Sequence, residues 1–245
     1  MNENVRGIVI RQIDYKDNDA IVTVYTSEYD RIGLYVKGYK KITSKNVYAT
    51  QIFDESTFLF DYNPISRFQT LKSASLVNEH KGIKADYDRL AIASLICEIA
   101  DSVYQEGGYA DLKKALDLLD SSKEPYTVLN LYLALALKQA GLGVSVDGCS
   151  LCGSTEGIVA LSVNDGGFVC SKCNSMLHLP ASDPEYLRRQ RIINKADFSV
   201  FDRIIGLGLN SFPITQDLMS FMKEYLDADF RSYRSLVSLN GGDPR

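Results

Sequence analysis

Two hydrophobic rhythms divide the chain. Up to about residue 80 the apolar positions fall in short, β-branched runs, at 5–15, 20–26, 31–37, 53–60 and 67–77. Turn-forming segments separate them: Lys16-Asp17-Asn18-Asp19, residues 27–30, and Asp61-Tyr62-Asn63-Pro64. In 31–37, Ile32, Leu34 and Val36 alternate with Arg31, Tyr35 and Lys37. Period-2 or compact apolar runs bounded by turns are the pattern of strands. Five of them within about 75 residues predict a small closed or nearly closed barrel.

From residue 82 the period changes. Leu90, Ile92, Leu95, Ile96 and Ile99 recur at helical spacing, and 112–119 forms a second helix. Pro125 fits the first turn of a third, which runs through Val128, Leu129, Leu131, Leu133 and Leu135 and stops near Gly141. That segment is apolar on nearly every side, the mark of a central core helix. Two more helices are expected at 197–207 and 214–237, parted by Gly206, Gly208 and Asn210. The pattern predicts an α+β chain with a barrel domain at 1–80 and a helical domain at 81–240. The helical domain is interrupted at 145–180 by a cysteine-bearing module, and the tail 240–245 should fray.

Composition changes this picture little. With 245 residues, 45% hydrophobic and 24% charged, the chain can bury a core without disulfides. A net charge of −4 argues against wholesale nucleic-acid binding but is blind to local patches. No apolar run reaches a membrane span, and the start Met1-Asn2-Glu3-Asn4 lacks a basic segment followed by an apolar one. A cytoplasmic location without membrane association is expected, and in a reducing compartment paired cysteines read first as metal ligands.

Cys149, Cys152, Cys170 and Cys173 follow C-x2-C-x17-C-x2-C. Two such knuckles complete a tetrahedron of thiolates, which suits one structural Zn2+ ion and leaves no open position for water. Gly148, Gly153 and Gly166-Gly167 sit where the knuckles turn, and a strand at 158–163 with Phe168-Val169 as partner makes the module zinc-ribbon-like. Free thiols are the plainer alternative. Cys97, inside the apolar run 91–100, reads as a small buried hydrophobe. His80 reads as solvated, and His178 as a residue on the surface or just outside the four thiolates. No phosphate loop, nucleophile elbow or H-E-x-x-H arrangement occurs, so no enzyme is expected.

Residues 31–53 hold Arg31, Lys37, Lys40, Lys41 and Lys45 and no acid. Gly38, Thr43 and Ser44 predict a flexible connection, and Tyr35, Tyr39 and Tyr48 are interleaved with the charges. Cations neutralise phosphates and aromatic rings stack unpaired bases, a combination OB-type barrels use on single strands. Arg11 on the first strand can join that face. A solvated lysine-rich loop is the alternative reading. A second run, Arg188, Arg189, Arg191 and Lys195, either extends the path or is a charged helix face.

These residues also carry a resemblance. Gly7-Ile8-Val9-Ile10-Arg11, Asp14-Tyr15, Thr26, Val36-Lys37-Gly38-Tyr39-Lys40-Lys41 and Ser44-Lys45 resemble the amino-terminal signature of bacterial RecO recombination mediators. The order of parts and the block from Cys149 to Cys170 are similar too, over nearly the whole chain; Gln51-Ile52-Phe53 departs where members often carry a proline. The resemblance implies an N-terminal OB-fold, a zinc-bearing helical domain, and a non-enzymatic mediator of DNA repair. Such a protein binds single- and double-stranded DNA, anneals complementary strands, and acts with RecR, with or without RecF. It assists RecA loading onto strands coated by single-strand-binding protein, whose acidic tail some members contact. By matched positions it implies phosphate contact by Lys37, Lys40, Lys41 and Lys45, with Arg11 and Tyr39 beside them, in a nucleoid-associated protein. The competing expectation is a zinc-stabilised protein-interaction adaptor with only incidental DNA contact.

Overall fold

Parity along five strands builds the barrel. The computed structural model describes residues 2–41, 44–103 and 107–242, so Thr43, Asp243, Pro244 and Arg245 lie outside the described residues. The strands are β1 (Asn2–Tyr15), β2 (Asp19–Thr26), β3 (Asp30–Val36), β4 (Glu55–Asp61) and β5 (Gln69–Asn78). They close in the order β1-β2-β3-β5-β4, with every pair antiparallel except β3 and β5. This is the strand order of an OB-fold. β1 is long enough to serve two neighbours: residues 2–8 pair with β4 and residues 7–15 with β2. Val5, Val9, Ala20, Val22, Val24, Leu34, Val36, Phe58 and Phe60 fill the interior. Each of the Val, Leu and Phe side chains, fully buried, is worth about 1.5–3 kcal/mol.

A bulge between Val9 and Arg11 inserts one extra residue into β1. Beyond it, Gln12 and Asp14 pair with the inward-facing Val22 and Ala20, so Arg11, Ile13 and Tyr15 face outward.

The described residues divide into two compact units, Met1–Ser121 and Ser122–Arg245. The change of period near residue 80 lies inside the first, which adds α1 (Lys81–Lys84), α2 (Tyr87–Ser102) and α3 (Tyr109–Ser121) to the barrel. Buried charge holds these helices to it. The Glu55 carboxylate accepts from Arg6 Nε at 2.7 Å, Tyr109 Oη at 2.9 Å and Lys113 Nζ at 3.0 Å. Buried Asp54 pairs with Lys84. His80 is not solvated as expected: it is buried, with Nδ1 against the Phe53 carbonyl at 2.8 Å and Nε2 against Asp117 at 3.0 Å. Its role is to join barrel and helix.

The second unit is built around α4 (Pro125–Gln139), which is buried from Thr127 to Ala134. β6 (Ile158–Ser162) and β7 (Gly167–Cys170) form a hairpin, followed by α5 (Ser171–Leu177) and α6 (Pro184–Lys195). The helix expected at 197–207 is a 3-10 turn and the short α7 (Phe201–Ile204). The one expected at 214–237 is two helices, α8 (Phe212–Leu226) and α9 (Arg231–Leu239). Asp227 adopts φ 49°, a left-handed conformation that an aspartate tolerates and that ends α8.

Candidate nucleic-acid interface and metal centre

The four cysteines meet on the hairpin. Cys149 and Cys152 lie in a turn ahead of β6, Cys170 ends β7, and Cys173 stands in the first turn of α5. The turn is fixed by Cys149 N donating to the Ser154 carbonyl and Gly153 N to the Cys149 carbonyl, both at 2.8 Å, with Gly153 at φ 75°. All four sulfurs lie within 4.8 Å of one another, and Cys152 Sγ is 3.7 Å from Cys170 Sγ. Four sulfurs each 2.3 Å from a zinc ion in a tetrahedron stand about 3.8 Å apart, so the cluster can hold a metal ion. Burial opposes ionisation of the Cys149 thiol, but the backbone N–H groups of Cys170, Cys152 and Leu151 outweigh it and draw the thiol down to about 6. His178 caps α5 at φ 53° and is exposed, outside the ligand set. Cys97 is buried, with its thiol pushed up by desolvation, as a core residue should be.

The basic stretch leaves β3 and returns to the β1–β2 turn. Gly38 N donates to Asp19 Oδ1 at 2.7 Å, Lys40 N to the Asn18 carbonyl at 3.0 Å, and Lys40 Nζ to Asp14 at 2.7 Å. Its described part is therefore more ordered than a flexible connection, and residues Val47–Ala49 form a 3-10 turn. Lys37, Lys41 and Lys45 are exposed, and among the described residues no ion pair holds them. Tyr39, Lys40, Lys41, Ser44, Val47, Tyr48 and Gln51 line an open groove of about 700 Å³.

Tyr39 corrects the sequence reading. Gly38, at φ 67°, redirects the chain, and Tyr39 packs into the barrel core instead of offering its ring to a base. Its hydroxyl donates to Gln12 Oε1 at 2.9 Å and accepts from Gln51 Nε2 at 2.8 Å, closing the barrel end. Tyr48 is the exposed ring of the groove. Arg11 and Arg31 are outward but engaged: Asp101, near the end of α2, lies 3.5 Å from Arg11 and 3.7 Å from Arg31.

Sequence reasoning missed Tyr15, Lys16, Arg67 and Phe68, which stand on the same barrel as the Tyr35 it singled out. Lys16 Nζ stands 5.3 Å from the Tyr15 ring centroid and 5.9 Å from that of Tyr35. Arg67 lies 5.2 Å from the centroid of Phe68. The available signal was the outward parity of Tyr15 and Tyr35, which the unseen bulge concealed on β1. In the second unit, Arg188, Arg191 and Lys195 line a groove of about 390 Å³ on α6. All three are paired with acids, Arg188 with Glu185 and the others with Asp147, as on a charged helix face.

The barrel order, followed in the chain by a helical unit whose hairpin carries four thiols able to hold a metal ion, defines an OB-fold protein with a built-in cysteine module. Among the described residues no helix is long and apolar enough to cross a membrane. The chain belongs to the RecO family of DNA repair and recombination proteins. The family model "Recombination protein O N terminal" matches residues 1–80, and "Recombination protein O C terminal" matches residues 84–204. The chain is 27% identical over 245 residues to DNA repair protein RecO of Listeria monocytogenes serotype 4a, covering 96% of this chain and 90% of that protein. It is 30% identical over 195 residues to the RecO of Listeria welshimeri, covering 76% of each, and 28% identical over 255 residues to that of Exiguobacterium sibiricum, covering 99% of this chain and 100% of that protein.

Proposed function

We propose that this protein is a non-enzymatic recombination mediator that binds single- and double-stranded DNA and anneals complementary strands in the cytoplasm, on the nucleoid. In this reading it acts with RecR, with or without RecF, to assist RecA loading, and it meets the acidic tail of single-strand-binding protein. The observation that carries the DNA contact is the set of exposed lysines, Lys37, Lys41 and Lys45, which no ion pair among the described residues holds, beside Lys40 on an OB-fold barrel. Annealing makes and breaks no covalent bond; it requires two backbones brought together with their charge neutralised and their bases free. Cys149, Cys152, Cys170 and Cys173 would hold one Zn2+, whose contribution is structural: it pins the hairpin and α5 together.

The test is an anisotropy titration with a labelled single strand across about 50–200 mM salt. Replacing Lys37, Lys40 and Lys41 together with Ala should weaken binding and flatten the dependence of log K on log salt by about 2. Binding and annealing equal to wild type would remove the lysine corner as the DNA site. Negligible wild-type affinity at physiological salt, with partner complexes intact, would favour the protein-interaction adaptor.

A further inference from the structure

The outer face of β1, β2 and β3 carries aromatic side chains where a freestanding barrel would place polar ones. Cross-strand pairing sets them in rows: Arg11, Thr23 and Gly33 in one, then Ile13, Ile21 and Tyr35 in the next, with Tyr15 opposite Asp19 beyond. Ile13 and Tyr15 remain 49% and 41% exposed, while Ile21 in the same row is buried. The Tyr15 and Tyr35 rings meet edge to face, centroids 5.8 Å apart at 85°. Gly33 makes room for a third ring, since a Cβ there would stand 2.6 Å from Phe68 Cδ1. Gly33 and Tyr35 are two residues apart on one strand, about 6.6 Å along it, so Phe68, Tyr35 and Tyr15 form a short line of rings.

Cations border that line throughout. Lys16 lies over Tyr15 and Tyr35, Arg67 over Phe68, Lys37 continues the outward parity of Tyr35, and Arg11 and Arg31 flank the Gly33 end. The acid on the line, Asp19, is occupied: it accepts from the Tyr35 hydroxyl and from Gly38 N. That pair of bonds fixes the tip of Tyr35 and ties the lysine segment to the same corner. Apolar rings bordered by positive charge, with Asp19 consumed internally and Asp101 held between Arg11 and Arg31, suit a polyanion that exposes flat apolar surfaces. Unpaired bases on a phosphodiester backbone are that ligand; in a duplex the bases are stacked on each other and offer no free face.

We propose that Tyr15, Tyr35 and Phe68 form a stacking platform for unpaired bases, which gives this protein a preference for single over double strands. The proposal rests on the DNA-binding reading above and extends it from phosphate contact to base contact. The chain contains no tryptophan, which supplies a clean probe. Tyr15→Trp gives a single indole on the platform, and titration with oligothymidylate should quench its emission as bases stack on it. The Tyr15→Leu, Phe68→Leu double variant should bind single strands roughly tenfold or more weakly, with duplex binding little changed, since each stacked base is worth about 1–3 kcal/mol. Salt-sensitive anisotropy binding by Tyr15→Trp with unchanged emission would overturn the platform while leaving the DNA-binding reading standing. Equal losses for single and double strands in the double variant would also overturn it. Absence of binding by the wild-type chain would overturn both.

Discussion

The Asp101 carboxylate lies 3.5 Å from the Arg11 guanidinium, although the two residues belong to a helix and a strand ninety positions apart in the chain. The same carboxylate reaches Arg31, and the Arg31 guanidinium also donates to the Asp101 carbonyl. A side-chain carboxylate thus occupies the place a phosphate would take between two outward arginines. Exposed pairs of this kind are worth about 0–1 kcal/mol each, so the competition is mild. Asp101→Asn should tighten single-strand binding up to about fivefold at low salt and steepen the salt dependence. Anisotropy titrations of both proteins at matched salt check this. Unchanged affinity would mean that Arg11 and Arg31 are fasteners for α2, not DNA contacts.

The thiol cluster makes a second expectation concrete. Purified protein should contain one zinc ion per chain by elemental analysis. Stripping it with a strong chelator should unfold the hairpin first, because structural zinc supplies about 10–16 kcal/mol of apparent binding energy in small modules. Hydrogen exchange would show protection lost across Cys149–Cys173 while barrel amides in β1–β4 keep theirs. Metal-free protein with native stability in chelator would leave four reduced thiols and no metal role.

Glu55 supplies a pH signature. Burial pushes its carboxyl up, but hydrogen bonds from Arg6, Lys113 and Tyr109 outweigh that and hold it below the ordinary glutamate value of 4.5. A carboxyl depressed on folding contributes stability that is fully present above its unfolded value and is lost as pH falls through the folded one. Glu55→Gln should therefore cost about 2 kcal/mol or more near pH 7, since it leaves Arg6 without its carboxylate and Lys113 with Asp117 alone. The gap between variant and wild type should narrow as pH drops below about 4.5. Urea unfolding at a series of pH values measures both; a gap independent of pH would rule out the carboxylate's charge as the cause.

What could be read from the sequence depended on how local the determinants were. The thiol cluster was legible because two C-x-x-C knuckles carry their geometry within four residues each. The strands were legible because Ile32, Leu34 and Val36 alternate without interruption. The bulge between Val9 and Arg11 was not, since one extra residue leaves no mark in an apolar run, yet it decides that Tyr15 faces outward. Tyr39 was misplaced for a related reason: the left-handed turn at Gly38 reverses parity just before it. His80 was read as solvated because its partners, Phe53 and Asp117, are 27 and 37 positions away. Long-range partners of this kind are set by packing, which periodicity does not encode.

The helical unit has its own buried polar point, and it grades a last prediction. Asn130 is fully buried in α4. Its Nδ2 donates to the carbonyls of Leu209 and Ser211, both at 3.0 Å, and its Oδ1 accepts from Thr215 Oγ1 at 2.7 Å. One amide therefore satisfies the backbone leading into α8 and a hydroxyl within it. Asn130→Ala strands all three partners and should cost about 2–4 kcal/mol, combining unmet hydrogen bonds with a cavity. Thr215→Val removes only the hydroxyl, leaving Oδ1 one bond short, and should cost about 1 kcal/mol. Because the two residues share a bond, the double variant should cost less than the sum of the singles. Chemical denaturation of the four proteins measures the coupling, and simple additivity would show that Asn130 acts through the two carbonyls alone.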